Sequence, residues 1–300
     1  MIEPVYWDIE NYGRKEIRVI HLNSCNQVTL QKIKFVKTVF TIGNSNMACD
    51  ILLLEIGEDF CCYALLNGQQ RNFQQIKYFT FEESEAIKEI TGILDGLKNE
   101  NCEKVIVSSA FSQSMLVPHK YAQHNQSLLN AVYDLPSQKF FSDSIAEWQM
   151  IAAYSIPQSI YDLITDRFPS VQFFHAYTAG LKIYNGFVAA DQIDIHFSTQ
   201  HFRVLVKKDK HVQLAQTYSY KTPLDVAYYL LKICYEFKLN QSEVFIIVSG
   251  LIDQDSAMYN ELHNYFLNLH FAHAPSYSLP GDEHPHHYFT SLYNLAACVS

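Results

Sequence analysis

The chain is poor in the residues by which nucleotide- and metal-binding proteins are most easily read. It carries ten glycines among 300 residues. Neither Gly-x-x-x-x-Gly-Lys-Ser/Thr nor Gly-x-Gly-x-x-Gly occurs, which argues against a P-loop NTPase and a dinucleotide-binding unit. No Cys-x-x-Cys spacing exists. The seven cysteines are odd in number, and Cys61 and Cys62 are adjacent in a strand-like run, so their side chains point to opposite faces. Zinc sites and disulfide frameworks are therefore not expected, and the cysteines read as small, reduced apolar residues. Cations are also scarce. Lysine and arginine total 22 against 31 acids, a net charge of −9, with no basic run longer than two. Such a chain has little with which to displace counterions from a phosphate backbone, so nucleic acid is not an expected partner. No stretch of eighteen apolar residues occurs, so no membrane insertion is expected. Met1-Ile2-Glu3-Pro4 is polar and acidic rather than signal-like, which points to the cytoplasm.

Apolar residues, by contrast, are plentiful. They make up 48% of the chain, with twenty Tyr and twenty Phe, enough to fill a large core and line half-buried sheets. The length allows two domains or one large one. Residues 1–45 are the least patterned and read as a peripheral segment, with Val19-Ile20 and Phe35 to Phe40 as possible strands.

From Ile51 onward the pattern is sharper. Ile51 to Ile56 is an apolar run ended by Gly57, the mark of a buried strand. Phe60 to Leu66 follows, then Asn67-Gly68, a pair that predicts a type I′ hairpin turn with both residues at positive φ. A third strand runs through Phe73, Ile76, Tyr78 and Phe81. The spacing of Thr80 and Glu83 predicts a capping box before a helix whose apolar face is Ile87, Ile90, Leu94 and Leu97. Val105 to Val107 is a buried strand. The order then repeats. Phe202, Val204 and Val206 alternate with polar residues, Lys207 to Lys210 form a turn, and Val212, Leu214 and Tyr218 to Tyr220 make the next strand. Thr222-Pro223-Leu224-Asp225 is a helix start with a cap, a proline at the first position and an acid at the positive end of the dipole. Its apolar face is Ala227, Leu230, Leu231, Cys234 and Phe237. Val244 to Val248 is a buried strand ending at Ser249-Gly250. A last apolar stripe, Met258, Leu262, Tyr265, Phe266 and Leu269, predicts one more helix. The spacings also agree: Gly68 and Val105 are 37 positions apart, Asp209 and Val244 are 35. The chain therefore reads as a duplicated α/β unit, residues 46–190 with an inserted segment near 115–190 punctuated by prolines, and residues 191–300.

A hairpin, third strand, helix and buried strand used twice resembles the actin-like ATPase fold, two ribonuclease-H-like halves each with a mixed sheet flanked by helices. Val117-Pro118-His119-Lys120-Tyr121, Tyr133-Asp134-Leu135-Pro136, the run from Thr217 to Leu231, Ser249-Gly250-Leu251-Ile252, and His287-Tyr288-Phe289 through Cys298 resemble one bacterial domain-of-unknown-function family with that fold. The resemblance covers Ile51 to the end. It implies a fold and no reaction.

In the actin-like ATPases two strand–turn loops of the pattern Asp-x-Gly hold the phosphates, with backbone N–H groups close to the ligand and the Asp orienting Mg²⁺ or water. By this resemblance the first loop is Leu54-Glu55-Ile56-Gly57-Glu58-Asp59, with Glu55 for Asp and two further acids. The second is Ile195-His196-Phe197-Ser198-Thr199-Gln200, with His196 for Asp and Ser198 for Gly. The adenosine loop keeps Gly250. Glu55, Gly57, Ser198 and Gly250 are thus the positions that would bind a cofactor if a nucleotide cleft is retained. The departures predict that nucleotide is possible but not expected, that no cofactor is required, and that the leading function is a non-catalytic scaffold or protein-interaction module. The alternative is an ATPase or sugar-kinase-like phosphotransferase using Glu55 and Mg²⁺, and a third reading is a hydrolase using the C-terminal histidines.

Weaker constellations remain. Asp282-Glu283-His284-Pro285-His286-His287 holds metal-ligand types, but neighbours in a Pro-containing loop seldom converge, so it reads as a polar loop before the final helix. Ser108, Ser109, Ser112 and Ser114 lack a nucleophile elbow. His175, His196 and His201 have no assignable partner as bases. Tyr228 and Tyr229 read as helix packing.

Overall fold

The computed structural model describes residues 18–22, 28–32, 37–44, 49–97, 100, 102–134, 136–183, 189–273, 277–281 and 284–298. The chain divides into two compact units, Met1–Val36 and Lys37–Ser300. The described part of the first is an antiparallel hairpin of β1 (Arg18–Leu22) and β2 (Val28–Lys32). Phe35, expected to open a strand, lies outside the described residues.

The second unit opens with β3 (Lys37–Gly43). It continues with β4 (Ile51–Ile56), β5 (Phe60–Asn67), β6 (Asn72–Thr80), α1 (Ala86–Gly96) and β7 (Lys104–Ser109). An insertion follows: β8 (Ser114–Pro118), α2 (Asn125–Val132), β9 (Gln138–Ile145) and β10 (Met150–Pro157). Then come α3 (Gln158–Arg167), β11 (Gln172–His175) and α4 (Ala176–Ile183). The remainder is β12 (Asp191–Phe197), β13 (His201–Lys208), β14 (His211–Ser219), α5 (Pro223–Glu236), β15 (Phe245–Gly250), α6 (Ala257–His263), β16 (Leu269–Phe271) and α7 (Thr290–Ala297).

The duplication is visible in the strand order. The first sheet runs β6-β5-β4-β7-β11 and the second β14-β13-β12-β15-β16. In each, three antiparallel strands lead to two parallel ones. The first sheet gains β3 on its outer edge beside β6, and the insertion makes its own sheet, β8-β10-β9. The α4 and α7 helices, each following the last strand of a half, pack on one another.

Side-chain alternation decides which faces are buried. In β4 and β5 both faces are apolar, because each meets a core. Leu53, Cys62 and Ala64 join Phe40, Phe73, Leu292 and Tyr293 on one side. Leu52, Leu54, Cys61 and Tyr63 join Ile90, Leu94 and Ile160 on the other. Cys61 and Cys62 thus point to opposite cores, and burial pushes the Cys61 thiol up to about 12. The second sheet has one large apolar face and one mixed face, on which Leu205, Val212 and Ala215 pack with Ile145, Ala152 and Leu181. Ile193, Ile195, Phe197, Phe202, Val204, Val206, Ile246 and Val248 pack under α5 and α6. The opposite face carries Asp194, His196, Arg203 and Ser249.

Several local expectations change. Asn67 is the last paired residue of β5, opposite Asn72, so the connection is four residues long and only Arg71 has positive φ, at 50°. The Asn67 side chain accepts from Gln70 N–H at 3.0 Å and so closes the loop itself, while Gly68 N–H donates to Asp50 Oδ1 at 2.8 Å. The two-residue turn with both φ values positive is Asp209-Lys210, at 50° and 62°, between Lys208 and His211. Thr80 ends β6, and its hydroxyl reaches Lys37 O rather than capping a helix. No side chain caps α1, whose buried residues are Ala86, Ile90, Ile93 and Leu94, while Ile87 is exposed. The stripe from Met258 to Leu269 is not one helix: α6 ends at His263, and Leu269 opens β16, where parallel pairing with β15 overrides the helical period.

The start of α5 forms as its sequence dictates. Asp225 N–H donates to Thr222 Oγ1 at 3.3 Å and Thr222 N–H to Asp225 Oδ2 at 2.8 Å, a full capping box with Pro223 at the first helical position. The backbone N–H groups of Lys221 and Thr222, both donating to Asp225 Oδ2, hold the Asp225 carboxyl below its usual range. Thr222→Ala should cost about 1 kcal/mol, a fall in melting temperature of about 2–4 °C. An unchanged thermal melt would show that the cap contributes nothing.

Candidate functional site

Two hairpins, β4–β5 and β12–β13, bring together the positions singled out in the sequence. Alternation puts Glu55 on the same face of β4 as Leu53, the face that α7 covers. Alternation likewise puts Arg203 opposite Phe202 and Val204, on the mixed face of the second sheet. Across this junction Arg203 Nη1 lies 2.6 Å from Glu55 Oε1, and the Ser291 hydroxyl, in the first turn of α7, donates to Glu55 Oε2. Glu55 is only 3% exposed. A carboxylate so buried needs its charge matched and both oxygens bonded, and here one guanidinium and one hydroxyl do this.

The turns themselves are also occupied. Gly57 N–H donates to Phe60 O at 3.1 Å, and a Cβ on Gly57 would stand 2.5 Å from the Phe60 ring. Glu58 accepts from Ser112 N–H at 2.6 Å. Asp59 Oδ1 is 3.5 Å from His201 Nδ1 of the facing hairpin. That contact with Asp59 raises the His201 pKa against the opposing effect of burial. Ser198 closes the second turn twice over: its N–H and its hydroxyl both donate to His201 O at 2.9 Å. Tyr220 hydroxyl donates to Ser198 O at 2.9 Å.

Gly250 has φ +78°, and a Cβ there would meet Phe197 O at 2.1 Å. Leu251 N–H donates to that same carbonyl at 2.9 Å. The glycine is thus accounted for by close passage of β15's end along β12. Behind it His196 Nδ1 pairs with Ser249 Oγ at 3.0 Å. Burial holds His196 well below its usual pKa, helped by the Arg203 charge.

Beside this junction a cavity of about 740 Å³ separates the mixed face of the second sheet from α4 and α7. Arg203, His196, Ser249 and Ser291 line one part; Phe245, Ile247 and His270 line another. Gly57, Ser198 and Gly250 are not among its lining residues. Asp194, which lines it, is paired with the fully buried Lys207 and accepts from Gln192 Nε2 at 2.5 Å. The charges around the cavity are therefore already matched in pairs.

The other sequence candidates separate. His175 is fully buried, with Nε2 3.2 Å from Phe111 O, and burial lowers its pKa to about 3. Asp143 bonds His175 N–H and the Thr178 hydroxyl, both at 2.7 Å, and so fixes the start of α4. Asp282 and Glu283 lie outside the described residues. The histidines that follow diverge: His284 packs on Phe40, His286 meets Tyr293 hydroxyl and His287 meets Ile252 O. Among the described residues no cluster of three potential metal ligands forms. Tyr229 stacks on Tyr218 at 4.4 Å, but Tyr228 is exposed, so only one of that pair packs. Sequence reading missed Arg203 and Ser291. The signal for Arg203 was present, since a cation between Phe202 and Val204 must face away from the apolar core; nothing local marks Ser291.

Two sheets of one topology, joined through α4 and α7 with a hairpin from each at the junction, define an actin-like ATPase fold. Residues 40–269 match the family described as protein of unknown function (DUF3822), and the chain belongs to that family. A crystal structure from Bacteroides thetaiotaomicron, of a protein with actin-like ATPase fold and unknown function, is similar at 13% identity with a TM-score of 0.70, covering 83% of this chain and 95% of that one. A chain of the PilM–PilN type IV pilus biogenesis complex is similar at 11% identity with a TM-score of 0.58, covering 84% and 99%. No curated protein matches the chain.

Two outcomes test the junction. Arg203→Leu strands the Glu55 carboxylate and should cost about 3–5 kcal/mol; Glu55→Leu with Arg203→Leu should recover most of this. A double-mutant cycle by denaturant unfolding that gives no coupling would remove the pair from the account. The second concerns pH. His175 and His196 have folded pKa values below the unfolded value of about 6.5, so acid protonates the unfolded chain and not the fold. Stability is present above that value and is lost as pH falls below it, by up to about 1.4 kcal/mol per pH unit for each group. Melting temperatures from pH 7.5 to 5 should show the decline, with a shallower slope in His196→Asn. His201, with its raised pKa, acts in the opposite sense, stabilising below about 6.5 and losing its effect as pH rises through the folded value.

Proposed function

We propose that this protein is a non-catalytic scaffold of actin-like fold that binds another protein in the cytoplasm without nucleotide, with residues 46–190 and 191–300 as its two halves. One observation carries the reading: at the junction of the two hairpins, where actin-like ATPases hold phosphates, Glu55 is bonded to Arg203 and Ser291 of the other elements. The carboxylate that would orient Mg²⁺ is spent on holding the halves together. Glu58 and Asp59 add negative charge beside it, which at ~4 Å from a phosphate costs about 1 kcal/mol even when well screened. His196, neutral and bonded to Ser249, is a poor ligand for a hard cation. Ser198 and Gly250 make turn and register contacts in place of a cradle. No helix of the described residues is long and apolar enough to cross a membrane. A chain of the PilM–PilN complex shares the fold, which shows that the architecture accommodates a place in a protein complex.

Calorimetric titration with ATP and Mg²⁺ should give no saturable heat, and ATP should not raise the melting temperature. A ligand at a hundred times its dissociation constant would add about 2.7 kcal/mol. Micromolar binding with phosphate release that disappears in folded Glu55→Gln would replace the scaffold with the phosphotransferase reading. A partner recovered from native cytoplasm should bind the purified chain equally well after ATP and Mg²⁺ are removed.

A further inference from the structure

The starts of β4 and β7 place two thiols together. These strands pair in parallel with Ile51 opposite Lys104 and Leu52 opposite Val105. Carried back two residues, the same register sets Cys49 opposite Cys102, and Lys104 N–H still donates to Asp50 O at 3.0 Å between them. Directly opposed residues on neighbouring strands stand about 4.8 Å apart, inside the Cα separation that a disulfide spans. The side chains exploit this: Cys49 Sγ and Cys102 Sγ are 3.2 Å apart. Both sulfurs lie against the edge of the core formed with Ile90, Leu94 and Val107, half-buried and within reach of a small reagent. Other cysteines differ. Cys61 and Cys62 are fully enclosed and face opposite cores, and Cys234 and Cys298 have no thiol neighbour among the described residues.

We infer that Cys49 and Cys102 are a redox modification site, which a low-molecular-weight disulfide such as oxidised glutathione converts to an intramolecular bridge. The Cys49 thiolate attacks one sulfur of the small disulfide, forming a mixed disulfide and releasing one thiolate of the reagent. Cys102, after losing its proton to solvent, attacks Cys49 Sγ, forms the protein S–S bond and expels the second thiolate. Two protein thiols are oxidised, one small disulfide is reduced to two thiols, and no other reactant is needed. Burial and the neighbouring Cys49 sulfur raise the Cys102 pKa. The second step is therefore the slow one at neutral pH and accelerates in base. The bridge would tie the start of β4 to the start of β7 and close a loop containing β4, β5, β6 and α1. In a reducing compartment such a bond is transient and tracks the thiol poise, which the closed interior cysteines do not.

The test uses the full chain. After incubation with oxidised glutathione and quenching with an alkylating reagent, two thiols should be lost. Peptide mass analysis without reductant should show Cys49 joined to Cys102, and the melting temperature should rise by about 5 °C or more. Reductant should reverse all three changes. Cys102→Ser should instead accumulate a glutathione adduct on Cys49. Persistent adducts on the wild-type chain without the crosslink, a bridge between other cysteines, or no loss of thiols would each overturn the inference. The wild-type mapping decides the matter even if Cys102→Ser does not fold.

Discussion

The ion pair between Glu55 and Arg203 is the constraint on which the placement of the two halves depends. It lies where the two halves meet, with Ser291 of α7 completing the carboxylate's bonds. Each half buries its own core, so the sheets need no help to form. Their mutual placement does need it, because the face the second sheet turns toward α4 and α7 carries Asp194, His196, Arg203 and Ser249 beside a small apolar cluster around Leu205 and Leu181. An apolar interface would hold by area alone. A polar one must hold by matched charges and hydrogen bonds, and those have one geometry in which they are satisfied. Asp59 and His201, 3.5 Å apart at the tips of the same hairpins, add a second charge contact, with the Asp59 carboxylate oxygens buried and making no hydrogen bond among the described residues.

The asymmetry between the two sheets explains how much of the chain could be read from sequence. β4, β5 and β7 are buried on both faces and show as unbroken apolar runs. β13 buries Phe202, Val204 and Val206 on one face and shows as an alternation that only Leu205 interrupts, where it joins a small apolar cluster on the other face. Those patterns located the repeated hairpin, strand, helix and buried strand along the chain and the α5 cap, because each element is marked by neighbours a few positions away. The elements misjudged were those fixed from afar. Asn67-Gly68 carries the composition of a tight turn, but the side chain of Asn67 and the carboxylate of Asp50 close a longer loop. Leu269 continues a helical stripe in sequence, yet β15 takes it into a sheet.

The candidate site was legible in the same partial way. Glu55, Gly57, Ser198 and Gly250 were found through the resemblance, and the structure places them at or beside one junction. What the sequence did not show is what occupies that junction. The alternation of Arg203 with Phe202 and Val204 sets it on the face away from their core, but its partner lies 148 positions away and Ser291's lies 236 away. Such separations carry no local pattern. The third-sheet insertion was equally opaque, since its ties to α4 join distant positions: Asp143 bonds His175 N–H and the Thr178 hydroxyl, and Ile145 and Ala152 pack on Leu181.

Gly250 shows how unequal the constraints on neighbouring positions of one junction are. Its hydrogen faces the Phe197 carbonyl at a distance where no side-chain carbon fits, so the position tolerates no substitution without moving a central strand. Ser198 answers only to a turn it closes with its own hydroxyl, and Glu55 to a charge it can match. Three positions that the resemblance assigns to one nucleotide cleft are here held by three separate demands: steric, conformational and electrostatic. A glycine that survives at such a place measures the distance between two backbones, and its presence carries no information about a ligand.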